Sequence, residues 1–233
     1  MIKMDSPAAP RAALEAVDAS RVVLFDFDGV LVHGDTFYHF TRDRYAQAWW
    51  RKGLAVLVLP WLLLQLPFSR RGAVRTLVHI ALWGLDEPGY REAAARFGAM
   101  LARRPGQFCR DGLRQLRRHQ AEGRQVVIVT GCEEHLVRTV LSELGLDGIP
   151  IVASSLRPGW LGMRAGHHNV GRRKIQSLAA LGVVGCAVAY SDSSMDIPML
   201  KLAGEPVLVN ASPATCKRVE RALGKTVGRV DWY

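Results

Sequence analysis

A short run of aliphatic and aromatic residues, Arg21-Val22-Val23-Leu24-Phe25, stops abruptly at Asp26-Phe27-Asp28-Gly29. No other feature of the chain constrains its fold as much. A continuous apolar run of this length reads as a strand covered on both faces, as in parallel sheets packed by helices. Its carboxyl end carries two acids two residues apart, followed by a glycine that permits a tight backbone turn.

Four further runs repeat the pattern: Gln125 to Thr130, Ile149 to Ala153, Cys186 to Ser191 and Pro206 to Asn210. Helical patterns lie between most of them, over Gly106 to Glu122, Glu133 to Leu144, Gly171 to Leu181 and Ile197 to Ala203. Strands alternating with helices predict a doubly wound, Rossmann-like α/β fold with a mainly parallel sheet. Ligands of such sheets bind beyond the carboxyl ends of the strands. Polar residues stand at three of those ends: Asp26 and Asp28, Thr130, and Asp192. Residues 33–104 break the alternation with helical apolar patterns and read as an inserted helical cap. The core is then 21–32 and 105–233, preceded by an Ala- and Pro-rich leader over 1–20. Ser154 to Gly166, with Pro158-Gly159 and Gly162, reads as a hairpin on the sheet edge.

Two carboxylates at one strand end can divide a phosphoryl transfer between them. One attacks phosphorus and forms an aspartyl-phosphate. The other gives a proton to the leaving alkoxide and then takes one from the attacking water. The crowding of negative charge calls for a hard cation with oxygen ligands, such as Mg²⁺. Taken alone, Asp-x-Asp also fits a solvated turn. Thr130-Gly131 closes the second strand and is expected to open a helix, where a hydroxyl and free amides receive an anion. Lys174, in Gly171-Arg172-Arg173-Lys174, starts another helix and can reach both a phosphate and an attacking Asp, although a lone Lys is usually solvated. Ser191-Asp192-Ser193-Ser194-Met195-Asp196 ends the fourth strand. Asp192 can ligate a metal, and Asp196 can hold either Lys174 or a metal-bound water.

In this order the four segments resemble the motifs of the haloacid dehalogenase superfamily, over about Arg21 to Asn210. The resemblance implies Asp26 as nucleophile, Asp28 as acid/base, and Thr130, Gly131 and Lys174 around the phosphoryl group. It also implies Mg²⁺ held by Asp26, the backbone carbonyl of Asp28, and Asp192. An insertion between the first two motifs is similar to that of the phosphoserine-phosphatase-like subclass. In phosphoserine phosphatases the position of Asp35 resembles a Glu that recognises the substrate amine. Here Asp35 could accept from a substrate hydroxyl or cap the first helix of the insertion.

The insertion contains Leu54 to Phe68, apolar apart from Gln65 and interrupted by Pro60. That is short of the ~20 apolar residues of a spanning helix. Trp49, Trp50, Arg51 and Lys52 precede it, and seven basic residues face one acid between Arg42 and Arg75. Aromatic and basic flanks suit a segment lying in a membrane interface, while a buried helical hairpin with snorkelling charges is the competing reading. With Leu82-Trp83-Gly84 and Tyr190-Ser191-Asp192-Ser193, this run is similar to the bacterial phosphatidylglycerophosphatase C family. That resemblance implies a lipid phosphomonoester substrate, phosphatidylglycerophosphate, and a place on the cytoplasmic side of an inner membrane. A cytoplasmic small-molecule phosphomonoesterase is the alternative, and a degenerate membrane-bound binding module is the non-enzymatic one.

The net charge of +10, from 31 basic and 21 acidic residues, favours anionic partners, whether phosphorylated substrate or anionic membrane. Nucleic acid is not expected: the arginines from Arg103 to Arg124 lie along one helix with no aromatic interleaving. Four cysteines without Cys-x-x-Cys spacing read as free thiols in a reducing compartment.

Overall fold

In the computed structural model, which describes residues 18–65 and 69–233, the run that ends at Asp26 is a buried central strand, β1 (Val22–Phe25). Five helices follow it within residues 33–104: α1 (Thr36–Gln47), α2 (Trp49–Leu57), α3 (Leu59–Gln65), α4 (Arg70–Ala81) and α5 (Glu87–Ala102). The chain then alternates through α6 (Arg110–Ala121), β2 (Gln125–Glu133), α7 (Glu134–Glu143) and β3 (Ile151–Ser154). A hairpin of β4 (Leu156–Gly159) and β5 (Gly162–Ala165) leads to α8 (Arg172–Ala179) and β6 (Cys186–Ser191). The last elements are α9 (Ile197–Leu200), β7 (Ala203–Val209), α10 (Pro213–Leu223) and β8 (Gly228–Val230). Residues 1–17 of the expected leader lie outside the described residues. Ahead of β1, Ala19–Arg21 form a 3₁₀ turn capped by Asp18.

Six described strands form one parallel sheet in the order β3-β2-β1-β6-β7-β8. The order reverses at β1, so the crevice for a ligand opens at the carboxyl ends of β1 and its neighbours. Alternate residues of β1 serve opposite faces. Val23 and Phe25 join a cluster with Phe40, Leu82, Tyr90, Phe97 and Leu116. Val22 and Leu24 join the opposite one, with Leu178, Met199 and Leu208. The first cluster thus runs unbroken from the sheet into α1 and α5, and the inserted helices share the core of the strands. Each buried leucine or phenylalanine there contributes ~1.5–3 kcal/mol by leaving water.

Three details differ from the sequence reading. The sheet has a sixth strand, β8, a short and largely exposed edge segment with no apolar signature. The hairpin forms its own two-stranded sheet and does not extend the edge of the main one. It meets the insertion instead: Gly84 N–H donates to Leu161 O at 2.9 Å, and Trp83 pairs with Gly162. Finally, β2 runs past Thr130 to Glu133 through an irregular register against β3.

Pro60 divides the apolar run into α2 and α3, as its missing N–H and fixed φ require. Among the described residues no helix is long and apolar enough to cross a membrane. Leu66, Pro67 and Phe68 of that run lie outside the described residues.

Candidate active site

Asp26 continues directly from β1, and its N–H donates to Tyr190 O on β6 at 3.0 Å, which ties the ends of the two strands together. Its Oδ1 accepts from Phe27 N–H at 2.8 Å. Its Oδ2 lies 3.1 Å from Lys174 Nζ, and the same ammonium lies 2.8 Å from Asp196 Oδ1. Lys174 stands in the first turn of α8 and is only 3% exposed, not solvated as a lone lysine usually is. Asp196 is held in turn by Ser191 Oγ–H at 2.8 Å. Of the two partners open to Asp196 in the sequence, Lys174 is the one it grips.

The charges are strongly interdependent. Burial pushes the Asp26 carboxyl well above the usual range, and Lys174 opposes that shift. Burial acts the same way on Asp196, but Lys174, Asp26 and Ser191 together hold it below the ordinary value. Lys174 is pushed down by burial and carried up overall by its two carboxylate neighbours, so it keeps its proton.

Asp28 reaches the other way, toward the insertion. Its Oδ1 accepts from Thr36 N–H at 2.9 Å, at the first residue of α1. Burial pushes its carboxyl up to about 6, with Thr36 opposing. Asp35 is the N-cap of the same helix, its carboxylate accepting from Tyr38 N–H at 2.8 Å. Capping is therefore the role in which the structure places it.

Asp192 follows β6 and folds against the turn after β1. Gly29 has φ +77°, and a Cβ there would fall 2.5 Å from Asp192 Cγ, nearer still to Oδ2. Only a glycine leaves room for that carboxylate over the backbone beside Asp28. Burial raises the Asp192 carboxyl, and the charge of Asp196 adds to the effect.

Thr130 is fully buried, and its Oγ1 accepts from Cys132 N–H at 3.0 Å, which leaves the hydroxyl proton to donate elsewhere. The expectation that Thr130-Gly131 opens a helix is corrected. These residues lie inside β2, and α7 starts at Glu134 behind the capping side chain of Glu133. Backbone amides of the irregular end of β2, not a helix terminus, are what this segment can offer an anion. Asn169 supports it from below, donating from Nδ2 to Thr130 O and to Val152 O, each at 3.0 Å. Cys132 is buried, and burial pushes its thiol well up, so it remains protonated.

The structure thus gathers Asp26, Lys174 and Asp196 into one contact, with Asp28, Asp192 and Thr130 at the same ends of β1, β6 and β2. Sequence reasoning missed Thr36, Asn169 and the buried pair Tyr90 and Glu133, in which the phenol of α5 donates to the carboxylate that caps α7. Thr36 had a signal: as the first helical residue after a cap it owns a free N–H. A buried loop asparagine and a pair 43 residues apart have none.

Residues 23–201 match the family of haloacid dehalogenase-like hydrolases. The phosphoserine phosphatase SerB1 of Mycobacterium tuberculosis (strain H37Rv) is 30% identical over 224 residues, which cover 89% of this chain and 71% of that protein. A Bordetella pertussis Tohama I protein of unknown function shares the fold with a TM-score of 0.65 at 19% identity, over 91% of this chain and 99% of that one. A phosphoserine phosphatase solved as a phospho-aspartyl intermediate analogue shares it with a TM-score of 0.55 at 18% identity, over 92% and 96%. With a matched region that spans most of the sequence and a relative this similar, the chain belongs to the haloacid dehalogenase-like hydrolase family and is a phosphatase.

Proposed function

We propose that the chain hydrolyses a small phosphomonoester of the phosphoserine type through an aspartyl-phosphate on Asp26, with residues 33–104 as a cap over the site. The observation that carries this reading is the buried Asp26–Lys174–Asp196 contact at 3.1 and 2.8 Å. The Lys174 ammonium opposes the rise that burial imposes on Asp26, so it favours the attacking carboxylate, and it can turn to the phosphoryl oxygens of a bound substrate. Asp26 Oδ attacks phosphorus as the bond to the substrate oxygen breaks. Asp28, whose carboxyl sits at about 6, supplies the proton to that leaving oxygen. Asp28 then takes a proton from water, which attacks the phosphorus, releases inorganic phosphate and frees Asp26. The Thr130 hydroxyl and the Gly131 amide hold the non-reacting oxygens. The relative and the fold neighbour that are phosphoserine phosphatases support this substrate class.

The donor set fits Mg²⁺. Among the described residues no three His, Cys, Asp or Glu side chains are arranged to hold a metal by themselves. The expected set needs only two, Asp26 and Asp192, with the carbonyl of Asp28 as the third oxygen. The Gly29 cradle that admits Asp192 is what such a set requires. Bound Mg²⁺ would supply positive charge against the phosphoryl oxygens and the two carboxylates.

One observation favours a second reading, the lipid phosphomonoester phosphatidylglycerophosphate met at the inner face of a membrane. Trp49, Leu57 and Leu64 on α2 and α3 are 83%, 76% and 71% exposed, beside a strongly basic sequence. Such a surface suits an anionic bilayer.

Released phosphate, measured with Mg²⁺ for O-phosphoserine, other soluble phosphomonoesters and phosphatidylglycerophosphate in mixed micelles, tests both readings. Soluble esters are expected to turn over best, with Asp26→Asn and chelated protein silent. Turnover confined to the lipid would replace the first reading by the second. Full activity of Asp26→Asn would remove both.

A further inference from the structure

A second polar cluster lies inside the insertion, away from the acids. Arg44, in the third turn of α1, is 8% exposed, and its Nε is buried without a hydrogen-bond partner. Its Nη1 donates to Gln47 Oε1 at 3.0 Å, while the amide of Gln47 is spent on Asp43. Among the described residues no carboxylate forms an ion pair with Arg44. Arg51 and Arg96 lie close enough to push its charge down further, with Asp43 opposing, and Arg96 is already paired with Glu92. A buried guanidinium is normally matched by an anion, because an isolated buried charge is costly.

Arg44 also lines a cavity of about 140 Å³ between α1 and α5. Its lining joins the guanidiniums of Arg44 and Arg96, with the Asp43 carboxylate and Gln47 beside them, to the apolar side chains of Phe40, Phe97 and Met100. Phe40 stands edge-on to Tyr90 and Phe97, at 5.7 and 5.4 Å between ring centroids. Arg44 is eight residues along α1 from Thr36, about 12 Å of helical rise from the contact with Asp28. The cavity is therefore separate from the acidic site and is borne by the helix that touches it.

We propose that this cavity binds a small monocarboxylate with a short apolar body. One charge is left over among Arg44, Arg51, Arg96, Asp43 and Glu92, which calls for a monoanion. The planar edge of a guanidinium is matched to a carboxylate. The volume, below the ~300–1,000 Å³ of pockets for drug-sized ligands, limits the body to a few carbons, and the phenylalanines and methionine favour apolar ones. This site does not depend on the phosphatase chemistry proposed above.

Butanoate is the probe and butanamide its neutral counterpart, followed by calorimetry and ligand-observed NMR on the full chain. Butanoate is expected to bind saturably in the millimolar range, and butanamide at least tenfold more weakly. Arg44→Met should weaken butanoate at least tenfold and Arg96→Gln severalfold, while Asp26→Asn leaves it unchanged. Arg96 is exposed, so Arg96→Gln decides the matter even where Arg44→Met fails to fold. Absence of saturation overturns the proposal, as does equal binding of the amide, or binding indifferent to every folded variant of the two arginines. Loss of binding in Asp26→Asn would place the carboxylate in the acidic site and overturn it equally.

Discussion

Lys174 is the residue on which the charge of the site balances. Replacing it by Met would leave Asp26 and Asp196 facing each other in the core with no cation between them. Removing one partner of a buried pair costs about 3–5 kcal/mol, most of it the penalty of the charge left behind. Lys174→Met should therefore unfold at clearly lower urea, and adding Asp196→Asn should recover much of the loss. A double-mutant cycle in urea measures that coupling, and equal stability of the single and double variants would refute it. Activity is expected to be absent in both, so stability and catalysis are read apart. Gly29 acts by sterics. At φ +77°, with Asp192 where a Cβ would stand, Gly29→Ala should cost ~1–2 kcal/mol in backbone strain. It should also lower turnover more than tenfold by displacing the Asp192 carboxylate, which steady-state kinetics at saturating Mg²⁺ would show.

At the scale of elements, the amino terminus of α1 positions Asp28 through one hydrogen bond, from Thr36 N–H at 2.9 Å. Thr36 is the first helical residue, where proline is well tolerated, and Asp35 before it has the extended backbone that proline demands. Thr36→Pro should keep α1 and remove what Thr36 offers Asp28, its N–H together with its buried hydroxyl. The expected result is an unchanged circular dichroism spectrum with kcat reduced about tenfold or more, as for a general acid out of place. The cap of α7 makes a different prediction. Burial raises the Glu133 carboxyl above its ordinary value of 4.5, against the pull of Tyr90 and Leu136 N–H. The folded state then binds this proton more tightly than the unfolded one, so stability falls as pH rises from about 4.5 through the folded value. Glu133→Gln keeps an oxygen for both partners and should flatten that part of the curve, gaining most above the folded value, in urea titrations at several pH values. The strand ends were legible because a buried apolar run that stops at an acid marks its own boundary. The continuation of β2 through Gly131 was not, since its register is set by β3 and no local pattern records it.

For the molecule as a whole, the question is how the five helices of residues 33–104 come to be held against the α/β core. Their helical character and their place between the first two strands were legible in the sequence. It did not show that α5 would be seated on α7, because that depends on two small details of packing far apart in the chain. One is the bond from Tyr90 to Glu133. The other is Gly98, where a Cβ would stand 2.5 Å from Thr139 Cγ2 and 3.2 Å from Thr139 Cβ. Gly98→Ala therefore sets two effects against each other. The helix gains about 0.8–1.0 kcal/mol in propensity, while overpacking costs typically 1–3 kcal/mol. Thr139 is a β-branched residue on a helix and cannot swing aside freely, so the packing cost should win. A net loss of stability of about 1 kcal/mol is expected for Gly98→Ala, and adding Thr139→Ala should turn it into a gain by making room for the new methyl. Because the two helices join the insertion to the sheet, the single variant should also raise KM for a phosphomonoester more than it lowers kcat, and the double variant should restore it. If Gly98→Ala proved stabilising by itself, the close approach of α5 and α7 would not be what seats the inserted helices, and the Tyr90–Glu133 bond would have to carry that role.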